Sequence, residues 1–172
     1  MLIGEKIILR PIKKEDLIFF NTWRNNIEIK QQALLHPFPV TSEMDESWYN
    51  NIANDTSNKS IFFTIINDNE SVVGYTFLSN INWINRNCYF GIIIGDEQHR
   101  GKGIGKEVLK LIIDYVFNTL NLHKITLEVV VDNKSAITLY EKMGFVKEGI
   151  LKEHVFIANK FSDLIIMSII KY

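Results

Sequence analysis

One short stretch of the chain combines glycine and positive charge at the start of a helix. It reads Gln98-His99-Arg100-Gly101-Lys102-Gly103-Ile104-Gly105 and lies between a predicted strand and an amphipathic helix; we call residues 98–105 the glycine loop. Alternating glycines let a backbone approach a ligand closely, and the first amides of a helix have no partner within it. Arg100 and Lys102 add positive charge there. The loop therefore predicts a phosphate or pyrophosphate site.

Two common nucleotide-binding motifs do not fit the glycine loop. A Walker A motif needs Gly, four residues and then Gly-Lys-Ser/Thr, but Glu107 follows Gly105-Lys106, and Arg100 stands where the first glycine should be. The dinucleotide motif G-x-G-x-x-G would need a third glycine at position 106, which is lysine. These mismatches argue against both classes of nucleotide site.

The loop instead resembles the acyl-CoA loop Q/R-x-x-G-x-G/A of the GNAT superfamily of N-acetyltransferases, through Gln98, Gly101 and Gly103. A second block, residues 133–145, resembles the family segment N-x-x-A-x-x-x-Y-x-x-x-G-F. A helix and a strand separate the two blocks, as the family requires. The resemblance covers nearly the whole chain, because the predicted order of elements is also that of the family.

Within the superfamily the chain is most similar to the RimJ/RimL branch, which includes ribosomal-protein, polyamine and aminosugar acetyltransferases. The similarity lies in residues 7–11, in Trp23-Arg24-Asn25 and in the tail from Glu148 to Asp163. The tail also resembles that of spermidine acetyltransferases, through residues 148–151 and 154–157. These likenesses indicate the branch and leave the acceptor open.

The resemblance implies acetyl-CoA as co-substrate. The amides of the loop and helix start would hold the CoA pyrophosphate, and the strand before them would pair with the pantetheine arm. That strand must then splay from residues 124–131 and leave a cleft. Asn133 either contacts CoA or caps the following helix. The implied contacts are Ile92, Ile93, Ile94, Gln98, Arg100, Gly101, Lys102, Gly103, Ile104, Gly105 and Asn133.

Acetyl transfer from a thioester needs a neutral amine, a polarised carbonyl and a proton for the departing thiolate. Tyr140 stands where the family usually has its general acid, and a phenol with an ordinary pKa near 10 keeps its proton at neutral pH. The general base stays open, because no spacing singles out one of Glu28, Glu97, Glu128 and Glu153.

The single cysteine, the histidines and several aromatic residues are further candidates for the site. Cys88, the only cysteine, is interpreted as a strand thiol and not as an acetyl-carrying nucleophile, because no acid or histidine stands beside it. The histidines lack the spacing of metal ligands, so no metal is assigned. Aromatic side chains could shape the acceptor pocket, with core packing as the alternative. The candidate acceptor residues are Trp23, Phe38, Trp83 and Tyr89.

The elements that must position these residues form one mixed α/β domain over residues 1–172. The apolar pattern gives the order strand, two helices, three strands, helix, strand, helix and two strands. The resemblance implies a mostly antiparallel twisted sheet of about seven strands, flanked by about four helices and splayed between the fourth and fifth strands. The predicted helices cover residues 15–24, 42–54, 104–120 and 135–143.

The composition is that of a globular protein. The 172 residues are 47% hydrophobic and 23% charged, which excludes general disorder. A net charge of −1 argues against a nucleic-acid partner and a polybasic membrane surface. The N-terminus lacks a signal-peptide pattern, and no apolar run is long enough to span a bilayer, so we expect a cytoplasmic protein.

Together these features predict an acetyl-CoA-dependent N-acetyltransferase that works by direct transfer within a ternary complex. The acceptor would be a protein N-terminal amine, with an aminosugar nucleotide or spermidine as the alternative. A CoA-binding sensor without catalysis is the competing class of protein, and Tyr140 argues against it. By family habit, the chain is also expected to form a homodimer.

Overall fold

A computed structural model describes residues 1–95 and 97–171. Their strands form one eight-stranded sheet in the order β1-β2-β3-β4-β5-β6-β8-β7. The strands are β1 (Leu2–Ile3), β2 (Ile7–Pro11), β3 (Ile61–Asn67), β4 (Val72–Asn82), β5 (Asn87–Ile94), β6 (Lys124–Val130), β7 (Val146–Ile157) and β8 (Lys160–Ile170). The α-helices are α1 (Leu17–Asn25), α2 (Ile27–Gln32), α3 (Ser42–Ala53), α4 (Ile104–Asp114) and α5 (Lys134–Lys142).

The parallel pair β5 and β6 is joined only at its beginning. Residues 87–89 pair with residues 124–126, and beyond them the two strands continue to Ile94 and Val130 without pairing to each other. The outer edge of β5 pairs with β4 and that of β6 with β8, both antiparallel. The sheet therefore opens into a V, which confirms the predicted splay.

Helices cover both faces of the sheet, and the side chains of β5 alternate between them. Phe90 faces the core under α4 and α5, where Val108 and Ile112 are fully buried. Ile93 instead belongs to a second core with Phe20 of α1 and Ile29 of α2. Each face of β5 is thus fixed by helices, which leaves its free edge as the side open to a ligand.

The predicted fold class is confirmed, and the structure adds one strand and one helix to it. The two-residue strand β1 extends the sheet, so the splay lies between the fifth and sixth strands. Asn26 is the C-cap of α1, and its side chain also accepts hydrogen bonds from the amides of Glu28 and Ile29 and so starts α2. The side chain of Thr41 caps α3 by accepting a hydrogen bond from the amide of Met44. The long helix ends as α at Asp114 and continues as a π-helix.

Within the described ranges, no helix has the length and apolar character needed to cross a lipid bilayer.

Candidate active site

The V between β5 and β6 holds a cavity of about 380 Å³, which we call the cleft. Strand β5, the glycine loop, the start of α4, one side of α2 and helix α5 line it. The cleft brings together ten of the twelve residues predicted for acetyl-CoA and for catalysis. These are Ile92, Ile93, Ile94, Arg100, Gly101, Gly103, Ile104, Gly105, Asn133 and Tyr140.

The two remaining residues, Gln98 and Lys102, are exposed and do not line the cleft. Their contact with acetyl-CoA stays a prediction.

The free edge of β5 presents only alternate backbone groups to the cleft. The amide of Gly95 donates to Val73 of β4, and the carbonyl of Ile93 also points toward β4, against Gly74. Neighbouring residues of a strand direct their amides to opposite edges. Ile92 and Ile94 therefore turn their backbone toward the cleft, so of the three predicted residues only these two can pair with a ligand there.

The glycine loop is shaped to admit an anion. Gly101 and Gly103 have φ angles of +73° and +88°, a conformation that favours glycine. A Cβ at either position would meet no atom within 4 Å, so the loop borders open space. Since the amide of Glu107 donates to the carbonyl of Gly103, the amides of residues 104–106 have no partner one turn earlier in α4. These amides can hold a phosphate group.

Arg100 fixes the loop to the end of β5. Its Nε donates to the carbonyl oxygen of Ile94 over 3.1 Å, and its Nη1 lies 3.8 Å from Oε1 of Glu97. The guanidinium group remains part of the cleft lining. Positive charge and free amides therefore meet at one end of the cleft, which is what a CoA pyrophosphate would require.

Tyr140 lies on α5 with its ring buried and its hydroxyl open to the cleft. The side chain is 9% exposed, and its ring packs against Phe145 with the centroids 5.9 Å apart. The hydroxyl has no hydrogen-bond partner among the described residues, yet no fully buried polar atom there lacks one. The hydroxyl must therefore reach the cavity. Burial raises the pKa of Tyr140 to about 12, so the phenol is protonated at neutral pH.

Helix α5 is held at both ends by residues of the predicted motif. The side chain of Asn133 accepts a hydrogen bond from the amide of Ala136, so the predicted capping role is present, and the residue also lines the cleft. At the other end Gly144 has a φ of +92°, and the amide of Phe145 donates to the carbonyl of Tyr140. This turn folds Phe145 back onto the ring of Tyr140.

The four aromatic residues predicted for the acceptor pocket are not brought to the cleft. Trp23 is buried and packs against Phe20, with ring centroids 5.8 Å apart. Trp83 lies in the β4–β5 turn, where its Nε1 donates to the carbonyl of Asn58. Phe38 is exposed in the loop before α3, and Tyr89 lies half-exposed at the last position of β5 that pairs with β6. Their role in acceptor binding stays a prediction.

The four carboxylates considered as general base lie in different places. Glu97 lies beside Arg100 at the loop, and Glu28 and Glu153 are exposed and line none of the cavities described for this structure. Glu128 lines a second cavity, of about 540 Å³, between α2 and the β7–β8 hairpin. We call it the hairpin cavity.

Helix α2 is the part of the site that sequence analysis missed. Its residues Ile29 and Gln32 and its C-cap residue Ala33 line one side of the cleft. The helix has only six residues, too few to show a helical period. The available signal was Asn26, since asparagine favours the N-cap position as well as chain breaks.

Other reactive groups lie apart from the cleft. Cys88 is 1% exposed, and burial raises the pKa of its thiol to about 12, so it is not a nucleophile at neutral pH. In residues 1–95 and 97–171, no three His, Cys, Asp or Glu side chains are grouped as metal ligands would be.

Comparisons with known proteins give the same fold and a consistent chemistry. The chain matches the family model described as an acetyltransferase (GNAT) domain over residues 6–146. It is 35% identical over 162 residues to the spermidine N(1)-acetyltransferase of Vibrio cholerae. The aligned region covers 94% of this chain and 91% of that protein. The chain is 32% identical over 169 residues to the spermidine N(1)-acetyltransferase of Escherichia coli K12, with 98% and 88% covered.

A solved structure is similar over the same length. The crystal structure of spermidine N-acetyltransferase from Vibrio cholerae in complex with CoA and spermine matches this fold with a TM-score of 0.89, at 35% identity and with 95% of each chain covered.

Proposed function

The chain belongs to the GNAT family of acetyltransferases and is an N-acetyltransferase, and from this premise we propose that its acceptor is a polyamine such as spermidine. Two relatives named for spermidine acetylation, each matching at least nine-tenths of this chain, support this acceptor. They favour the small-molecule alternative over the protein N-terminal amine that the RimJ/RimL-like features suggest. A homodimer stays a prediction, checked by light scattering.

The cleft is the main observation in support of the proposal. It contains a site for an anion at the glycine loop, the neutral phenol of Tyr140 and the free edge of β5. The amides of residues 104–106 and the guanidinium of Arg100 would bind the pyrophosphate of acetyl-CoA. The backbone of Ile92 and Ile94 would pair with the pantetheine arm. Bound in this way, acetyl-CoA supplies an activated acetyl group.

The transfer forms the amide C–N bond and breaks the thioester C–S bond. The protonated amine must release two of its three protons to the solvent, one before its nitrogen attacks and one after the C–N bond forms, and the thiolate must gain one. Tyr140 is positioned to donate its phenolic proton to the departing sulfur and to regain one from water. Cys88 is buried away from the cleft, so the transfer is direct and forms no acyl-enzyme.

Calorimetry followed by an acceptor screen tests the proposal. We expect acetyl-CoA and CoA to bind with micromolar affinity and ATP not to bind. With acetyl-CoA saturating, spermidine should release CoA thiol faster than an aminosugar nucleotide or a peptide with a free N-terminus. Absence of acetyl-CoA binding would overturn the assignment of the cleft. Binding together with a preference for the peptide would overturn the acceptor alone.

A further inference from the structure

We propose that Glu128 binds the non-reacting ammonium group of the acceptor and so makes the enzyme prefer amines that carry a second positive charge. This inference rests on the proposed function, and it names the residue that would set its substrate class.

Strand β6 carries Glu128 just past the point where the sheet opens. Thr126 is the last residue of β6 paired with β5, and Glu128 lies two residues, or about 7 Å, further along the strand. Side chains two apart lie on the same face of a strand. Leu127 and Val129 both belong to the core under α4 and α5, so Glu128, which lies between them on β6, points to the opposite face. There its exposed side chain lines the hairpin cavity together with residues of α2.

Glu128 is the one acidic residue among the described residues that line the hairpin cavity. In the described part of the chain, no side chain or amide pairs with its carboxylate. The ammonium of Lys30 lies at the same cavity but donates to the carbonyls of Pro37 and Phe38, over 3.3 and 2.7 Å. The charge of Lys30 is thus held by the loop, and the carboxylate is left for a ligand cation.

The remaining lining suits an aliphatic chain. Apolar side chains of Leu34 and Leu35 face those of Val155 and Phe156 across the cavity. The two histidines of the lining, His36 and His154, carry no negative charge, so Glu128 is the one anionic side chain among the described residues there. One carboxylate beside these apolar side chains fits one ammonium group and the methylenes attached to it.

Helix α2 borders both the cleft and the hairpin cavity. Ile29, Gln32 and the C-cap residue Ala33 line the cleft, whereas Ile27 and Gln31 line the hairpin cavity. None of the described residues lines both cavities. Because Tyr140 lies in the cleft, the amine that reacts must reach the cleft. Glu128 lines only the neighbouring cavity, so it is placed for the other ammonium group of a polyamine.

The test compares two acceptors in three proteins. Spermidine carries further positive charges, whereas hexylamine has only the amine that reacts. With acetyl-CoA saturating, we expect Glu128→Gln to lower kcat/KM for spermidine roughly tenfold, mainly through KM, as loss of one charge-assisted hydrogen bond would. For hexylamine the change should stay within about twofold of the wild type, since that acceptor leaves Glu128 unused.

Glu153→Gln is the matched control, because it removes the same charge from an exposed site on β7 that does not line the hairpin cavity. It should keep the wild-type ratio of kcat/KM for the two acceptors. Unchanged thermal unfolding and an unchanged Kd for acetyl-CoA would show that Glu128→Gln is folded and that its cleft is intact.

The outcomes separate this inference from the proposed function. Suppose that the wild type acetylates spermidine. If Glu128→Gln then keeps the wild-type ratio of kcat/KM for spermidine to kcat/KM for hexylamine, or if Glu153→Gln lowers that ratio equally, the inference is wrong and the proposed function stands. An equal loss on both acceptors would likewise overturn it, since Glu128 would then act on the reacting amine. A wild type that acetylates neither amine would overturn the proposed function itself.

Discussion

Tyr140 combines a buried ring with a hydroxyl that reaches the cleft, and this predicts the effect of removing that hydroxyl. We expect Tyr140→Phe to lower kcat about a hundredfold, because the departing thiolate loses its proton donor. The Kd for acetyl-CoA should not change, since the ring is retained. Because the phenol has a pKa of about 12, the difference from wild type should hold from about pH 7 to about pH 10.

Tyr115→Phe provides the matched control for that measurement. Tyr115 lies half-buried against Phe63 and does not line the cleft, so losing its hydroxyl should leave kcat within about twofold of the wild type. Stopped-flow detection of thiol release measures both variants. An undiminished rate in Tyr140→Phe would show that a group other than Tyr140 protonates the departing thiolate.

Asp16 is the residue that ties three elements together. Its carboxylate accepts two hydrogen bonds of 2.7 Å from Arg10 of β2, one of 2.6 Å from Thr64 of β3 and one of 2.8 Å from the amide of Lys13, which precedes α1. Burial acts to raise the pKa of Asp16, but the hydrogen bonds from Arg10, Thr64 and Lys13 outweigh it and leave the pKa below its usual range. The first helix is thereby fixed to the sheet.

Asp16→Asn should destabilise the fold by about 3 kcal/mol at pH 7, because it leaves the partly buried Arg10 without its counter-ion. A lowered native pKa contributes stability that is complete above the unfolded value, near 4, and is lost as the pH falls through the native value. The difference between wild type and variant should therefore shrink below about pH 4. Urea unfolding at several pH values measures it.

Asp55→Asn serves as the comparison, since Asp55 also has a lowered pKa, from its hydrogen bonds to Ser57, but lies exposed in a loop. It should leave the free energy of unfolding almost unchanged at every pH. A difference for Asp16→Asn that persisted unaltered at pH 2 would contradict the assigned charge pairing.

Elements whose signal is local could be predicted from the sequence. The glycine loop, the Asn133 cap and Gly144 lie in contiguous motifs, so their positions on helix ends follow from the order of residues. Helix α2 could not be predicted in this way, because six residues contain less than two helical turns and tertiary packing decides its conformation. The bounds of α1, α3 and α5 differ from the predicted ranges by no more than two residues, whereas α4 ends at Asp114 and the remainder of its predicted range is mostly a π-helix.

Residues that meet only through the fold were harder to assign. In the sequence, nothing distinguishes Glu128 from the three other candidate acids. The structure distinguishes it, because β6 no longer pairs with β5 at Glu128 and α2 covers the face of the sheet to which Glu128 points. Trp23 and Trp83 show the converse, because aromatic side chains suit a core or a turn as well as an acceptor pocket. Residue type alone therefore does not identify the residues of the site, because their positions depend on contacts between segments that are distant in the sequence.

At the scale of the whole molecule, the sheet consists of two arms joined by three pairs of residues. One arm contains β1 to β5, and the other contains β6 to β8. A ligand lying along β5 in the V would occupy the backbone edge that β6 leaves free. We therefore expect acetyl-CoA to slow hydrogen exchange at the amides of Ile92 and Ile94, which face the cleft.

Ile93 is the internal control for this measurement, because its backbone faces β4 and should be protected with or without ligand. Exchange followed by NMR, in the free protein and with saturating acetyl-CoA, resolves the three residues separately. If Ile92 and Ile94 were as protected as Ile93 without ligand, the V would be closed in solution. If acetyl-CoA bound without slowing them, the ligand would not pair with β5. The expected alternation along three consecutive residues is a pattern that general stabilisation of the fold would not produce.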